Sequence, residues 1–146
     1  MRPLEERIGF LLGRAHKSYK RSFDSMLSEY GLTSPQWSVL WRLWEHDGLT
    51  QTELCRSLFT DGPTITGIID RLERDGFVAR QRNSSDRRVI RVFLTDKGFN
   101  LEKILSKEVE VVREQATRGM TTDEVEQLKY LVNRVWQNMS MSEAEN

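Results

Sequence analysis

Between Leu49 and Phe77 the chain reads LTQTELCRSLFTDGPTITGIIDRLERDGF, a run that starts one helix, interrupts it, starts another and stops that. Thr50 is placed as an N-cap, with Glu53 as its capping-box partner and Leu49 and Leu54 as the flanking hydrophobic staple. Asp61-Gly62-Pro63 then sets proline in a first helical turn, where its missing N–H is no loss. Asp75-Gly76-Phe77 closes the second helix, because glycine takes the left-handed conformation without a Cβ penalty and the next apolar residue packs back on the last turn. Two short helices joined by Phe59-Thr60-Asp61-Gly62 predict a helix-turn-helix.

Similar punctuation organises the rest of the chain. Gly31-Leu32 and Gly48-Leu49 are two further helix stops, Ser34-Pro35 starts a helix, and Thr121 with Glu124 forms a second capping box. Leu4, Ile8, Leu11, Leu12, Ala15, Tyr19, Phe23, Met26, Leu27 and Tyr30 follow a three-and-four spacing that predicts one helix over 4–30. Such a helix spans roughly 40 Å, long for a domain of this size, so its ends call for a second subunit. A helix over 35–46 carries Trp37, Leu40, Trp41 and Trp44 on one side and Val39 and Leu43 on another. Ile65, Ile68, Ile69 and Leu72 give a helix over 63–75 its inner stripe. After Gly76 the period changes to two: a strand from Phe77, a polar tip, and a returning strand over Val89 to Leu94. Thr95 then caps a helix to Arg118, a last helix runs from Thr122 to Met139, and the terminal SMSEAEN reads as frayed.

The expected fold is therefore mainly α with a small β-hairpin wing, a winged helix-turn-helix with long helices on either side. At 146 residues, 38% hydrophobic and 30% charged, the chain reads as one soluble domain. No apolar run approaches a membrane span and the amino terminus is unlike a secretory signal, so a cytoplasmic location is expected, without a membrane partner. Cys55 is the only cysteine; it falls in an apolar pattern and reads as a buried inert thiol. His16 and His46 are the only histidines, neither in a metal-ligand spacing, and there is no phosphate loop or nucleophile elbow. No catalytic residue, metal site or cofactor is assigned, and an enzyme is rejected.

The formal net charge is zero, yet Phe77 to Thr95 holds Arg80, Arg82, Arg87, Arg88 and Arg91 against the single acid Asp86. A local basic surface is what double-stranded DNA requires, since charge is screened within about 8 Å at physiological salt. Arg80, Arg82 and Arg91 alternate on the paired strands and are assigned structural work. Arg87 and Arg88 at the tip are assigned to DNA, Arg88 in the minor groove or on phosphate and Arg87 at the backbone, with Asp86 orienting the tip by local pairing.

The segment LTSPQW to LTDKG, about 32–98, resembles the central part of the MarR family of bacterial transcription regulators. Its motifs LTQTEL, DGPTITGIIDRLERDGFV and SDRRVIRVFLTDKG occur in the family's order, the last with an Asp-x-Arg tip at Asp86, Arg87 and Arg88. The resemblance implies one domain over 1–146, with 32–95 as the winged DNA-binding part and 1–31 plus 96–140 as helices that dimerise. It implies a homodimeric regulator, a repressor in preference to an activator, on a pseudo-palindromic operator. The helix 63–75 and the wing 83–89 would carry the contacts, with Gly62, Thr64 and Thr66 joining the tip residues.

Gly62 and Gly67 depart from relatives in which arginine is frequent, and Gly67 would permit close approach to DNA or to the third helix. The resemblance also implies a small-molecule pocket, for which His16, Tyr19, Trp37 and Trp41 are the candidate lining residues. An aromatic or phenolic acid suits such walls. The tryptophans at helical spacing also read as core. The competing reading is a winged-helix module that binds protein without specific DNA recognition, which the base-poor recognition helix favours and the arginine tip opposes.

Overall fold

The computed structural model describes residues 1–144, with side chains described to Ser142. The chain divides into two compact units, Met1–Val112 and Arg113–Asn146. The first holds α1 (Ile8–Ser28), α2 (Ser34–Glu45), β1 (Leu49–Thr50), α3 (Gln51–Leu58), α4 (Gly62–Arg74), β2 (Val78–Arg82), β3 (Ile90–Leu94) and most of α5 (Asp96–Ala116). The last residues of α5 and α6 (Thr122–Ala144) make up the second. The mainly helical fold with its small wing is as expected.

The stops and starts lie where the sequence places them. Gly31, Gly48 and Gly76 all have positive φ, and a fourth such glycine, Gly119, follows α5. At two of these ends the chain folds back in the same way: Leu32 N donates to Leu27 O at 3.1 Å, and Phe77 N donates to Leu72 O at 2.9 Å. Both capping boxes form, Thr50 with Glu53 and Thr121 with Glu124. A third box, Thr33 with Gln36, opens α2, which explains why Gln36 is buried although polar.

Three expectations need correction. The first helix is not continuous over 4–30: a 3-10 turn at Leu4–Glu6 is followed by extended Arg7, and α1 has 21 residues, about 31 Å. Within the chain α1 buries only Phe23, Met26 and Leu27, so packing does not hold its amino-terminal extension in line. The wing sheet has three strands, ordered β1-β3-β2, with Leu49 opposite Val92 and Thr50 opposite Arg91. A two-residue strand is too short to show a period of two. Finally, α6 continues past Met139 to Ala144, so Ser140 to Ala144 are helical rather than frayed, while Glu145 and Asn146 of that terminal stretch lie outside the described residues.

The core of the first unit joins Leu27 of α1, Val39, Leu40 and Leu43 of α2, Leu54 of α3, and Ile65, Ile69 and Leu72 of α4. Val78 and Val92 of the sheet and Leu105 of α5 complete it. One close approach locks α5 to the α4–β2 junction. A Cβ built on Gly98 would lie 2.1 Å from Phe77 O, and Trp44 Nε1 donates to Gly98 O at 3.0 Å.

Candidate nucleic-acid interface

Helix α4 is anchored by an apolar stripe and offers its opposite face to solvent. Ile65, Ile68, Ile69 and Leu72 are buried, whereas Gly62, Pro63, Thr64 and Thr66 are exposed. Asp61 caps the helix, accepting from Thr64 N at 2.8 Å and from the Thr64 hydroxyl at 2.9 Å. These two bonds, the backbone one foremost, hold the Asp61 carboxyl below its ordinary value. A Cβ on Gly62 or Gly67 would meet nothing within 4 Å, so α3 does not require glycine at 67.

Arg80 ties three elements together. From β2 its guanidinium donates to Asp70 at 2.6 Å, Glu73 at 3.1 Å and Thr66 O at 3.2 Å on α4. Its Nε donates to Gln51 Oε1 on α3 at 3.2 Å, and Gln51 Nε2 donates to Thr66 Oγ1, also at 3.2 Å. Arg80 is only 19% exposed, as befits a strut. Arg91 donates to Gly48 O at 2.9 Å and Arg82 to Arg87 O at 3.1 Å, so these too do the structural work expected of them. Gln51 had no signal in the sequence beyond its place after an N-cap.

The tip is built differently. Asn83 N donates to Val89 O at 2.9 Å and Val89 N to Asp86 O at 3.1 Å, closing the loop. Asn83 Oδ1 accepts from Ser85 N at 3.0 Å, and Asp86 Oδ1 accepts from Arg88 N at 3.0 Å. Asp86 thus fixes the backbone under Arg88, while the arginine head approaches the carboxylate only to 3.8 Å. The Arg88 side chain is 96% exposed and Arg87 is also exposed. A cleft of about 250 Å³ lined by Thr50, Gln51, Thr52, Arg88, Val89 and Ile90 separates the base of the wing from the start of α3. Through Gln51 this cleft adjoins Thr66, so the tip and the α4 face belong to one surface.

The candidate pocket residues form a run of rings. Tyr19 stacks on Phe23 at 6.0 Å, Phe23 meets Trp37 edge-on at 4.8 Å, and Trp37 lies 5.4 Å from Trp41. Phe23, a core position in the sequence, is the bridge. His16 is exposed on α1 and takes no part in these ring contacts. Trp41 Nε1 donates to Glu45 at 3.0 Å. Trp37 Nε1 is the single buried side-chain polar atom without a hydrogen-bond partner among the described residues. No group of His, Cys, Asp and Glu able to hold a metal occurs among the described residues. No helix among them is long and apolar enough to cross a membrane.

A short helix, a tight turn, a helix with one solvent-facing stripe and an arginine-tipped hairpin define a winged helix-turn-helix of the DNA-binding kind. Residues 32–90 match the model of the MarR family. The chain is 39% identical over 99 residues to the HTH-type transcriptional regulator TtmR of Methylorubrum extorquens, a match covering 68% of this chain and about half, 51%, of that relative. It is 31% identical over 100 residues to the organic hydroperoxide resistance transcriptional regulator of Bacillus subtilis, covering 68% of each. A crystal structure of a mutant MarR from E. coli complexed with operator DNA superposes with a TM-score of 0.81 at 29% identity, covering 92% of this chain and 99% of that one. The chain belongs to the MarR family, and so to a family of DNA-binding transcriptional regulators.

Proposed function

We propose that the chain acts in the cytoplasm as a homodimeric, ligand-responsive repressor of a pseudo-palindromic operator, and not as a catalyst. The observation that carries this reading is Arg88: a fully solvated arginine on a tip whose backbone is fixed by Asp86. A cation held out on an ordered loop without a full ion pair suits a phosphate or a narrow minor groove. The exposed face of α4 supplies Gly62, Thr64 and Thr66 to the major groove. Arg87 assists at the backbone.

Each unit leaves large apolar side chains in solvent, which favours a second copy as their cover. In the first these include Ile8, Phe10 and Leu11 of α1; in the second, Leu128, Tyr130, Leu131, Val132, Trp136 and Met139 of α6. No residue of α6 whose side chain is described, Thr122 to Ser142, is buried. Exposure on this scale is the usual mark of an interface. With 1–31 and 96–140 as dimerisation helices, the winged parts over 32–95 would be held at a fixed separation.

The aromatic run through Tyr19, Trp37 and Trp41, with His16 nearby on α1, is the proposed effector site. The orphaned Trp37 N–H gives an aromatic or phenolic acid a donor to meet. Such a ligand shifts the dimer only through differential affinity for two geometries. Footprinting on a duplex enriched from a random library tests the whole: two protected blocks about one helical turn apart are expected. A single block would oppose the dimeric reading, and no protection at any salt would favour the protein-interaction alternative.

A further inference from the structure

The first two turns of α4, Gly62 to Gly67, carry no charged side chain. Each threonine hydroxyl of this stretch is also engaged once within the protein. The Thr64 hydroxyl gives its proton to Asp61 at 2.9 Å, and Thr66 Oγ1 accepts from Gln51 Nε2. Gln51, the neighbour best suited to reading adenine, is held at both ends of its amide, by Thr66 and by Arg80. Over this stretch the hydroxyl proton of Thr66 is the one side-chain donor left without a protein acceptor, and a lone hydroxyl does not discriminate between bases. What the face offers instead is apolar matter on three exposed residues: the ring of Pro63 and one methyl group each on Thr64 and Thr66. Gly62 and Gly67 flank them with open space where a Cβ would stand, so the backbone can come close to a groove floor. The first base along the helix is Arg71, past these turns and suited to a phosphate.

In the major groove the one base feature that an apolar surface distinguishes is the C5-methyl of thymine. We propose that α4 selects its half-site by packing Pro63, Thr64 and Thr66 on thymine methyl groups, and not by hydrogen-bonded readout of guanine or adenine. This rests on the DNA-binding reading above. The wing supplies attraction without base information; the apolar end of α4 supplies the choice of sequence.

The experiment uses the full-length protein and the duplex it enriches from a random-sequence library. Each thymine of the half-site is replaced in turn by uracil, which removes the methyl and keeps the base pairing. Affinity is expected to fall about fourfold for each methyl buried, the factor for one carbon removed from water. Thr64→Ser keeps the bond to Asp61 and Thr66→Ser keeps the bond to Gln51. Each should weaken the thymine duplex by a similar factor and abolish the uracil penalty at one position only. Uracil duplexes bound as tightly as thymine duplexes, or enriched half-sites without thymine, would overturn the inference while leaving DNA binding intact. Failure to enrich or bind any duplex would overturn the DNA-binding reading itself, and this inference with it.

Discussion

Gln51 donates through Nε2 to Thr66 Oγ1 at 3.2 Å, tying the first residue of α3 to the outward face of α4. The other end of the same amide accepts from Arg80, so one side chain links the helix-turn-helix to the wing. The surface proposed to meet DNA is thus braced from behind before DNA arrives, and a braced surface loses less freedom on binding.

Arg80→Ala removes the centre of that brace. With Asp70, Glu73 and Gln51 left without their cation, stability should fall by about 1–3 kcal/mol, measured by urea unfolding. Arg80→Lys should recover little, because an ammonium cannot reproduce the guanidinium fork. A variant as stable as the wild type would show that the network is ornamental.

Gly98 meets the backbone of Phe77 so closely that an added Cβ would sit 2.1 Å from its carbonyl oxygen. Gly98→Ala should therefore destabilise the first unit by about 1–3 kcal/mol through overpacking. It should also disturb the bond from Trp44 Nε1, visible as a shift in tryptophan emission. Gly67→Ala, with open space around it, should gain helix stability instead.

The Asp61 cap makes the start of α4 sensitive to acid. Its carboxyl is held below the ordinary 3.8 by the Thr64 N–H and hydroxyl, so the folded form binds its proton less readily than the unfolded chain. The cap's contribution is present above that ordinary value and is lost as pH falls through the lower, folded one. Asp61→Asn keeps an acceptor that does not titrate. The melting temperature of the wild type relative to Asp61→Asn should thus decline on going from neutral pH to pH values below about 3.9. A difference that stays constant would contradict the assignment.

Leu131→Glu places a charge among the exposed apolar residues of α6. Sedimentation should show wild type at twice the chain mass and the variant shifted toward the monomer. A monomeric wild type at micromolar concentration would remove the dimer from the account.

Sequence alone carried the helix-turn-helix because its signals are local. Thr50 with Glu53, Pro63 after Asp61, and Gly76 before Phe77 each act within a few residues, and short-range chemistry is readable from order alone. The division of the arginines was legible for the same reason, since alternation separates Arg80, Arg82 and Arg91 from the tip. Strand β1 was not: Leu49 and Thr50 pair with residues more than forty positions away, and nothing local announces that. Gln51 was missed because its role depends on Arg80 and Thr66, each brought to it by the tertiary fold. The break at Arg7 escaped because the apolar spacing runs through it, although Leu4 and Ile8 on either side of it are exposed.

The measurement that tests the central claim most directly is fluorescence anisotropy on a selected duplex and a scrambled control, across a salt series, for wild type and Arg88→Ala. Specific binding that weakens steeply with salt is expected, and Arg88→Ala should lower affinity and reduce the salt slope by about one unit for each phosphate the arginine neutralises. Equal affinity and equal slope for the two proteins would contradict the wing as a DNA element.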